Sequence, residues 1–578
     1  MRCPVLLAMI ASVAACHDSP GAPAPDGAPA DAAIADGADG ADPDAGPHTG
    51  DIAFQVLHYQ IDLDLATRDA VVGVRFQAAT AGNCLTIGFR PAAAMAVAFD
   101  GQAAATATVE NGQLRACDPE GYPAGATAVL SVQATVPAET WASSDVGFIR
   151  KADLAGGTYT SLISWIGGCD RHGPCDARPG QFPTYTFVVH HDAATQVLCP
   201  GEVTSGETET TCNFDFPAGP TYSTYGLMAR SPAWTLKELG DWGGIRAVLY
   251  DVPGSRTDVR FPVTEASGIL AWLSDRFGAF PYGRELRFVV GPTYWAGFEH
   301  PGNIALSQNL ATGRSWYSDG LIHTTLHEIV HQWAGDQATL RDTYDFVWKE
   351  AMAEYLSFVY EDEHMAAGVA DTTAAAWKVF SKTSRFHLVP DERPPLLTYY
   401  GDVYGPGPLI LFRQLEVMYS RAAVLEALDA LIGTGEPRAL SVADVEGALS
   451  NATQAHLGFY FTAWVHGTGA PAWPRATVTV TPAAPVGRWT VGVSTTTADG
   501  VARGCAFTVR VTGGGQSADL HFSNGPDGGE FTPQTVGFEP TDWVIDPRRE
   551  CLVYDAREPT SVTAPSRGAS PWTAPFAM

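Results

Sequence analysis

Histidine and glutamate carry the most legible chemistry in this chain. The run His327-Glu328-Ile329-Val330-His331 is followed, after eighteen intervening residues, by Glu350 within Trp348-Lys349-Glu350-Ala351-Met352-Ala353-Glu354-Tyr355. Residues four apart on a helix share a face, so both imidazoles reach one metal ion from successive turns. Glu328 then projects about 100° away, toward an open coordination position. With Glu350 as third ligand, the donor set is that of a hydrolytic site built on one zinc ion (Zn2+). Such an ion polarises a carbonyl and makes water acidic near pH 7, and Glu328 is placed to take the proton and return it to a leaving amine.

The surrounding residues supply the helices this requires. Leu321, Ile322, Leu326, Ile329, Val330 and Trp333 recur at helical spacing around the histidines, and Gly335 stands where a C-cap belongs. Phe346 to Tyr360 reads as a second helix carrying Glu350. His323 extends the series to three histidines at four-residue intervals. Four residues of helix rise about 6 Å, too far for a third imidazole to join a metal held by the other two, so His323 reads as a pocket or packing residue. Asp336, just past the helix, fits either an acceptor for a ligand imidazole N–H or a helix-end turn residue.

With its His-Gln-Trp-Ala-Gly-Asp continuation, the stretch from His327 to Tyr355 resembles the aminopeptidase N family of gluzincin metallopeptidases. Upstream, Ala296-Gly297-Phe298-Glu299-His300-Pro301-Gly302 is similar to that family's Gly-x-Met-Glu-Asn segment, with Phe298 in place of Met and His300 in place of Asn. The resemblance implies that Glu299 binds the free α-amino group of a substrate and that the strand at Gly297 pairs with the peptide backbone. An ion pair of that kind also fixes the scissile bond over the metal. Asp402-Val403-Tyr404-Gly405, opening the apolar run from Leu409 to Phe412, is similar to a third family segment. It implies that Tyr404 donates its O–H to the oxyanion, although Tyr399 and Tyr400 stand close by and Pro406 departs from the usual basic residue. The family adds a Gln or Glu upstream of a Pro-Cys segment as a second amine anchor. Here Pro174-Cys175 fits that segment, but Thr158 to Gly168 holds neither residue, so amine recognition rests mainly on Glu299.

The chain opens as a leader. Arg2 gives the positive end, Pro4 to Ala15 the apolar core, and Val13-Ala14-Ala15-Cys16 a small-residue cleavage site. Ending on Cys16, it resembles a bacterial lipobox, which implies export and lipidation of that thiol; an ordinary cleavable signal peptide is the other reading. Residues 17–51 hold eight Asp and no Lys or Arg among Ala, Gly and Pro, the composition of a disordered acidic tether. Eight cysteines remain beyond the leader: Cys84, Cys117, Cys169, Cys175, Cys199, Cys212, Cys505 and Cys551. An even number in an exported chain points to disulfides, preferably between nearest neighbours, among roughly a hundred possible connectivities. A formal charge of −28 argues against nucleic acid and against direct docking on anionic lipid. Membrane contact is then expected only through the lipid on Cys16, and the oligomeric state is open.

These signals divide the chain into a leader (1–16), a tether (17–51), an N-terminal β domain (52–255), a zinc peptidase domain (256–470) and a C-terminal β-sandwich (471–578). The fold class is multidomain α+β. Tyr59, Ile61, Leu63 and Leu65 alternate with polar neighbours, as do Val72, Val74 and Phe76, and short runs of this kind persist to about residue 255. By resemblance the first β domain is saddle-like and the catalytic domain thermolysin-like. The helical-repeat domain of many relatives has no room, and an open cleft admitting larger peptides is expected. The function these features imply is a zinc-dependent, exported aminopeptidase acting on peptides. A gluzincin peptidase without strict N-terminal specificity and a non-catalytic zinc-binding surface lipoprotein are the alternatives.

Overall fold

Alternating runs in the first part of the chain become strands whose faces follow the pattern. The computed structural model describes residues 48–138, 146–216 and 226–558, so the leader with Cys16 and the tether as far as residue 47 lie outside the described residues. In Phe54–Asp64 the side chains of Tyr59, Ile61 and Leu63 are buried and Gln60 between them is exposed. This strand pairs antiparallel with Asp69–Ala78 and parallel with Thr184–His190 inside an eight-stranded sheet. A separate four-stranded sheet contains Thr158–Ile163 between Gly147–Ala152 and Gly226–Ser231, and its chain runs on to Trp165. Residues 48–51, expected to be the end of a loose tether, are instead bonded in place. His48 N–H donates to the Glu120 carbonyl, and the Gly50 carbonyl accepts from Cys84 N–H at 2.9 Å.

The next sheet departs from the expected boundary at residue 255. Its five strands run in the order Thr235–Asp241, Arg246–Asp251, Glu285–Gly291, Asn303–Ser307, Gly297–Phe298. Two strands assigned by pattern to the N-terminal β domain therefore belong to the sheet that leads to the zinc motif, with Arg246–Asp251 parallel to Glu285–Gly291. Alternation reports that a strand is half-buried but not which sheet it joins. The short strand Gly297–Phe298 pairs antiparallel with Leu306 and Ala305 and forms the sheet's edge.

Two helices follow. Gly320–Val330 starts at Asp319, whose carboxylate accepts from Leu321 N–H and Ile322 N–H, a standard N-cap. Regular helix ends at Val330 rather than running on to Gly335; tight turns carry the chain to Gly335, whose φ of 139° only glycine adopts readily. Phe346–His364 is buried on every side from Phe346 to Glu361. Downstream, Leu409–Arg413 forms a π-helical turn closed by Gln414 N–H on the Leu409 carbonyl. Such turns occur mostly as single insertions into α-helix, frequently at functional sites.

The C-terminal region consists of two small, mostly antiparallel sheets, of four and three strands. They dock on the helical part through Leu552 N–H on Gln414 Oε1 at 2.7 Å and Trp464 Nε1 on the Gly504 carbonyl at 3.0 Å. All eight cysteines beyond the leader are paired between neighbours: Cys84–Cys117, Cys169–Cys175, Cys199–Cys212 and Cys505–Cys551. Among the described residues no helix is long and apolar enough to cross a membrane.

A buried polar network fastens the two helices together. Glu354 Oε1 accepts from His323 Nε2 at 3.3 Å and Tyr317 Oη at 3.2 Å, while Trp377 Nε1 donates to its Oε2 at 2.7 Å. His323 Nδ1 donates to Glu361 Oε1 at 2.7 Å, and its ring stacks on Tyr317 with centroids 3.6 Å apart. The packing role read for His323 is therefore an ionic one. Burial disfavours its charged form, but the Glu361 and Glu354 carboxylates outweigh burial and push its pKa up to about 9. Because an unfolded histidine titrates near about 6.5, the imidazolium's contribution, on the order of 3 kcal/mol, is complete below that pH and lost as pH rises through about 9. In thermal unfolding, the gap in midpoint between wild type and His323→Gln is expected to be widest at pH 6 and to narrow toward pH 9.5. A gap independent of pH would show that His323 is not charged in the folded protein.

Candidate functional site

The two helices bring three ligand atoms together. Nε2 of His327 and Nε2 of His331 are 3.0 Å apart, and Glu350 Oε2 lies 3.4 and 3.5 Å from them. A four-coordinate zinc with bonds of about 2.0–2.1 Å spaces its ligand atoms about 3.3–3.4 Å apart, so these atoms outline one face of such a site. Each imidazole is oriented from behind. The acceptor on His331 Nδ1 is the Ala334 carbonyl at 2.8 Å, not Asp336, whose Oδ2 instead accepts from Gln332 Nε2 at 3.2 Å. Behind His327, Nδ1 faces Glu354 Oε1 at 3.3 Å. Hydrogen on both Nδ1 atoms leaves both Nε2 lone pairs for a metal, the arrangement that fixes ligand histidines.

Glu328 lies against the same cavity, with Glu299, Gly297, Trp295, Phe298, Trp165, Tyr400 and Tyr404. Its Oε2 is buried and has no hydrogen-bond partner among the described residues. A buried, unsatisfied carboxylate oxygen calls for a water or a substrate proton. Burial, reinforced by the nearby Glu299 and Glu350 carboxylates and opposed by His327 and Lys349, raises its pKa to about 8. Gly297 sits directly over this carboxylate, and a Cβ there would stand 2.6 Å from Glu328 Cγ. Only glycine permits the edge strand to approach Glu328 so closely.

Glu299 is 5% exposed and its Oε1 lies 3.0 Å from Lys349 Nζ. The same ammonium donates to Glu350 Oε1 at 2.6 Å. Gln332 holds the Glu299 segment to the histidine helix: its Nε2 donates to the Glu299 carbonyl at 3.1 Å and its Oε1 accepts from Gly302 N–H at 2.7 Å. Sequence reading passed over the roles of Lys349, Gln332 and Glu354. The available signal was that Glu350 and Glu354 are four apart, matching the four-residue spacing of the histidines opposite.

Tyr404 Oη donates to Glu350 Oε2 at 2.8 Å and contacts Tyr400 Oη. Burial, then the Glu350 carboxylate, lifts its pKa well above the usual phenol value, so the O–H is retained. Tyr399 is directed elsewhere, to the Leu388 carbonyl, whereas Tyr400 and Tyr404 both line the cavity. The segment from Thr158 to Gly168 contributes no polar anchor to the cavity but the indole of Trp165, whose ring centroid is 5.2 Å from Tyr400, 5.6 Å from Phe346 and 6.0 Å from Trp295. The free space beside the candidate ligands is about 20 Å³, room for one or two waters, His327 is only 3% exposed, and aromatic rings line the space.

No protein-family model and no curated protein sequence matches the chain. Solved structures do. A mutant M1 zinc metallopeptidase from Deinococcus radiodurans, bound to a Tyr-Ser-Ala substrate, aligns with a TM-score of 0.59 at 19% identity, covering 72% of this chain and 95% of that one. The same organism's M1 zinc metallopeptidase without the mutation aligns with a TM-score of 0.56 at 19% identity, covering 69% and 90%. Legionella pneumophila aminopeptidase A in complex with aspartic acid aligns with a TM-score of 0.69 at 13% identity; the match covers 88% of this chain and spans 60% of that protein's length. The mixed α+β architecture with its β-rich N-terminal part is thus the fold of M1 zinc metallopeptidases.

Proposed function

We propose that the chain is a zinc-dependent metallopeptidase of the aminopeptidase N type that hydrolyses peptides at their amino end. The observation that carries this reading is the convergence of His327 Nε2, His331 Nε2 and Glu350 Oε2 beside a buried Glu328 carboxylate. Those three atoms would hold one zinc ion, which when bound supplies Lewis acidity toward a carbonyl and toward water. Glu328 accepts the proton of the attacking water as its oxygen bonds to the carbonyl carbon. The same carboxyl passes that proton to the amide nitrogen as the C–N bond breaks. Tyr404 O–H donates to the oxyanion that forms between these steps. The free edge of Gly297–Phe298 accepts the substrate backbone as an added strand, and Glu299 faces its amino end. The leader ending at Cys16 supports export and a lipid tether, which metabolic labelling with palmitate, absent in a Cys16→Ser variant, would test.

Removing metal with a chelator is expected to abolish hydrolysis of aminoacyl fluorogenic substrates, with recovery on adding one equivalent of zinc. Glu328→Gln is expected to lower kcat by about 10³-fold while retaining zinc. Full activity in that variant would eliminate Glu328 as the base, and hydrolysis that persists without any metal would eliminate the whole reading.

Tyr404→Phe is expected to lower kcat by about 10²- to 10³-fold with little change in KM, since an oxyanion donor acts on the transition state. A change confined to KM would reassign Tyr404 to substrate binding. Gly297→Ala places a methyl against Glu328 and is expected to reduce kcat with zinc content unchanged; unaltered kinetics would mean that the base tolerates displacement.

A further inference from the structure

The carboxylate that faces the amino end of a substrate already has a cation on it. Lys349 is 1% exposed in its side chain, and its Nζ bridges Glu299 Oε1 at 3.0 Å and Glu350 Oε1 at 2.6 Å. Its stem is fixed in a slot. A Cβ at Gly335 would come within 2.8 Å of Lys349 Cε and 3.1 Å of His331 Nδ1, so the glycine with φ 139° is what makes room for the lysine beside the metal ligand. The ammonium also stands 5.8 Å from the centre of the Phe346 ring.

A site built to bond a substrate group rejects an analogue lacking it by about 10⁴-fold or more, because the buried partner is then left unpaired. That penalty does not arise here. When no substrate amine is present, Glu299 keeps its ion pair with Lys349, and when one is present, two cations must share a single carboxylate. We propose that Lys349 is a specificity-determining residue that stands in for the substrate ammonium on Glu299. The site then hydrolyses peptides with a neutral, acyl-type amino end nearly as well as peptides with a charged one. The proposal rests on the peptidase reading above, in which Glu299 faces the amino end of the substrate.

A matched pair of substrates tests charge without changing size: Ala-Ala-Phe and its des-amino analogue, propionyl-Ala-Phe, each cut after the first residue and followed by mass spectrometry. With zinc-loaded enzyme, kcat/KM for the two is expected to differ by less than about 30-fold, against the roughly 10⁴-fold of an unpaired anchor. Lys349→Met, with Lys349→Gln as the better-tolerated companion, is expected to widen the ratio above about 10³-fold, mainly through KM for the des-amino peptide, at unchanged zinc content. Glu299→Gln in the presence of Lys349 is expected to leave the ratio nearly unchanged. A wild-type ratio near 10⁴, or a ratio that neither lysine variant moves, overturns the proposal. The same ratios are read without turnover as dissociation constants on zinc-loaded Glu328→Gln protein, by quenching of Trp165 and Trp295 fluorescence. Discrimination there that follows Lys349 upholds the proposal even where no hydrolysis is found, and failure of both peptides to bind refutes it.

Discussion

A helix that buries three carboxylates must be given three sets of partners, and that requirement organises the centre of this protein. Glu350, Glu354 and Glu361 all lie on the inner length of Phe346–His364, each 3% exposed or less. Leaving one such charge unpaired would cost several kcal/mol. Glu350 is met by Lys349 and Tyr404, Glu354 by Tyr317, Trp377 and the facing His323 and His327, and Glu361 by His323. The histidines repeat every four residues, as Glu350 and Glu354 do, so sliding either helix by one residue would break the contacts between the two helices at once. The ladder thus sets the register in which the metal ligands converge, and the site's geometry follows from the electrostatics of the core.

Glu328 differs from the carboxylates of that ladder. It is as buried as they are, yet one of its oxygens has no hydrogen-bond partner among the described residues. The ladder keeps its carboxylates ionised and orients its imidazoles, whereas Glu328 projects from the same helix at a different angle, toward a cavity lined by the Gly297–Phe298 strand and aromatic rings. The base role proposed for Glu328 would need that contrast, since a proton affinity near working pH is what pairing to a cation would prevent.

The parts legible in the sequence were those governed by local period. Strand alternation from Tyr59 onward, the helical recurrence around His327 and the paired cysteines could all be read because each depends on neighbours along the chain. Contacts between distant elements were not. Asp336 fitted either an acceptor for a ligand imidazole or a helix-end turn residue, and the turn after Val330 presents the Ala334 carbonyl to His331 Nδ1 instead. Lys349 read as a flank of Glu350; its ion pair with Glu299, fifty residues earlier, exists only because the edge strand returns over the histidine helix. Sheet membership of Thr235–Asp241 and Arg246–Asp251 was hidden for the same reason, since pairing partners lie outside the period that marks a strand.

The lining of the cavity is the clearest product of such long-range assembly. Its metal side is held by hydrogen bonds and ion pairs within two buried helices, whereas its other side is ring against ring. Trp165 meets Trp295, Phe346 and Tyr400 through contacts that contribute about 1 kcal/mol each beyond area burial. The ionic side is the costlier to disturb, because parting it would strand buried charges, while displacing the aromatic side exposes rings that an entering apolar side chain can cover again. Under the reading proposed above, the segment around Trp165 offers an indole rather than a carboxylate and Lys349 already occupies Glu299, and both features would favour apolar contact over charge at the substrate's first residue.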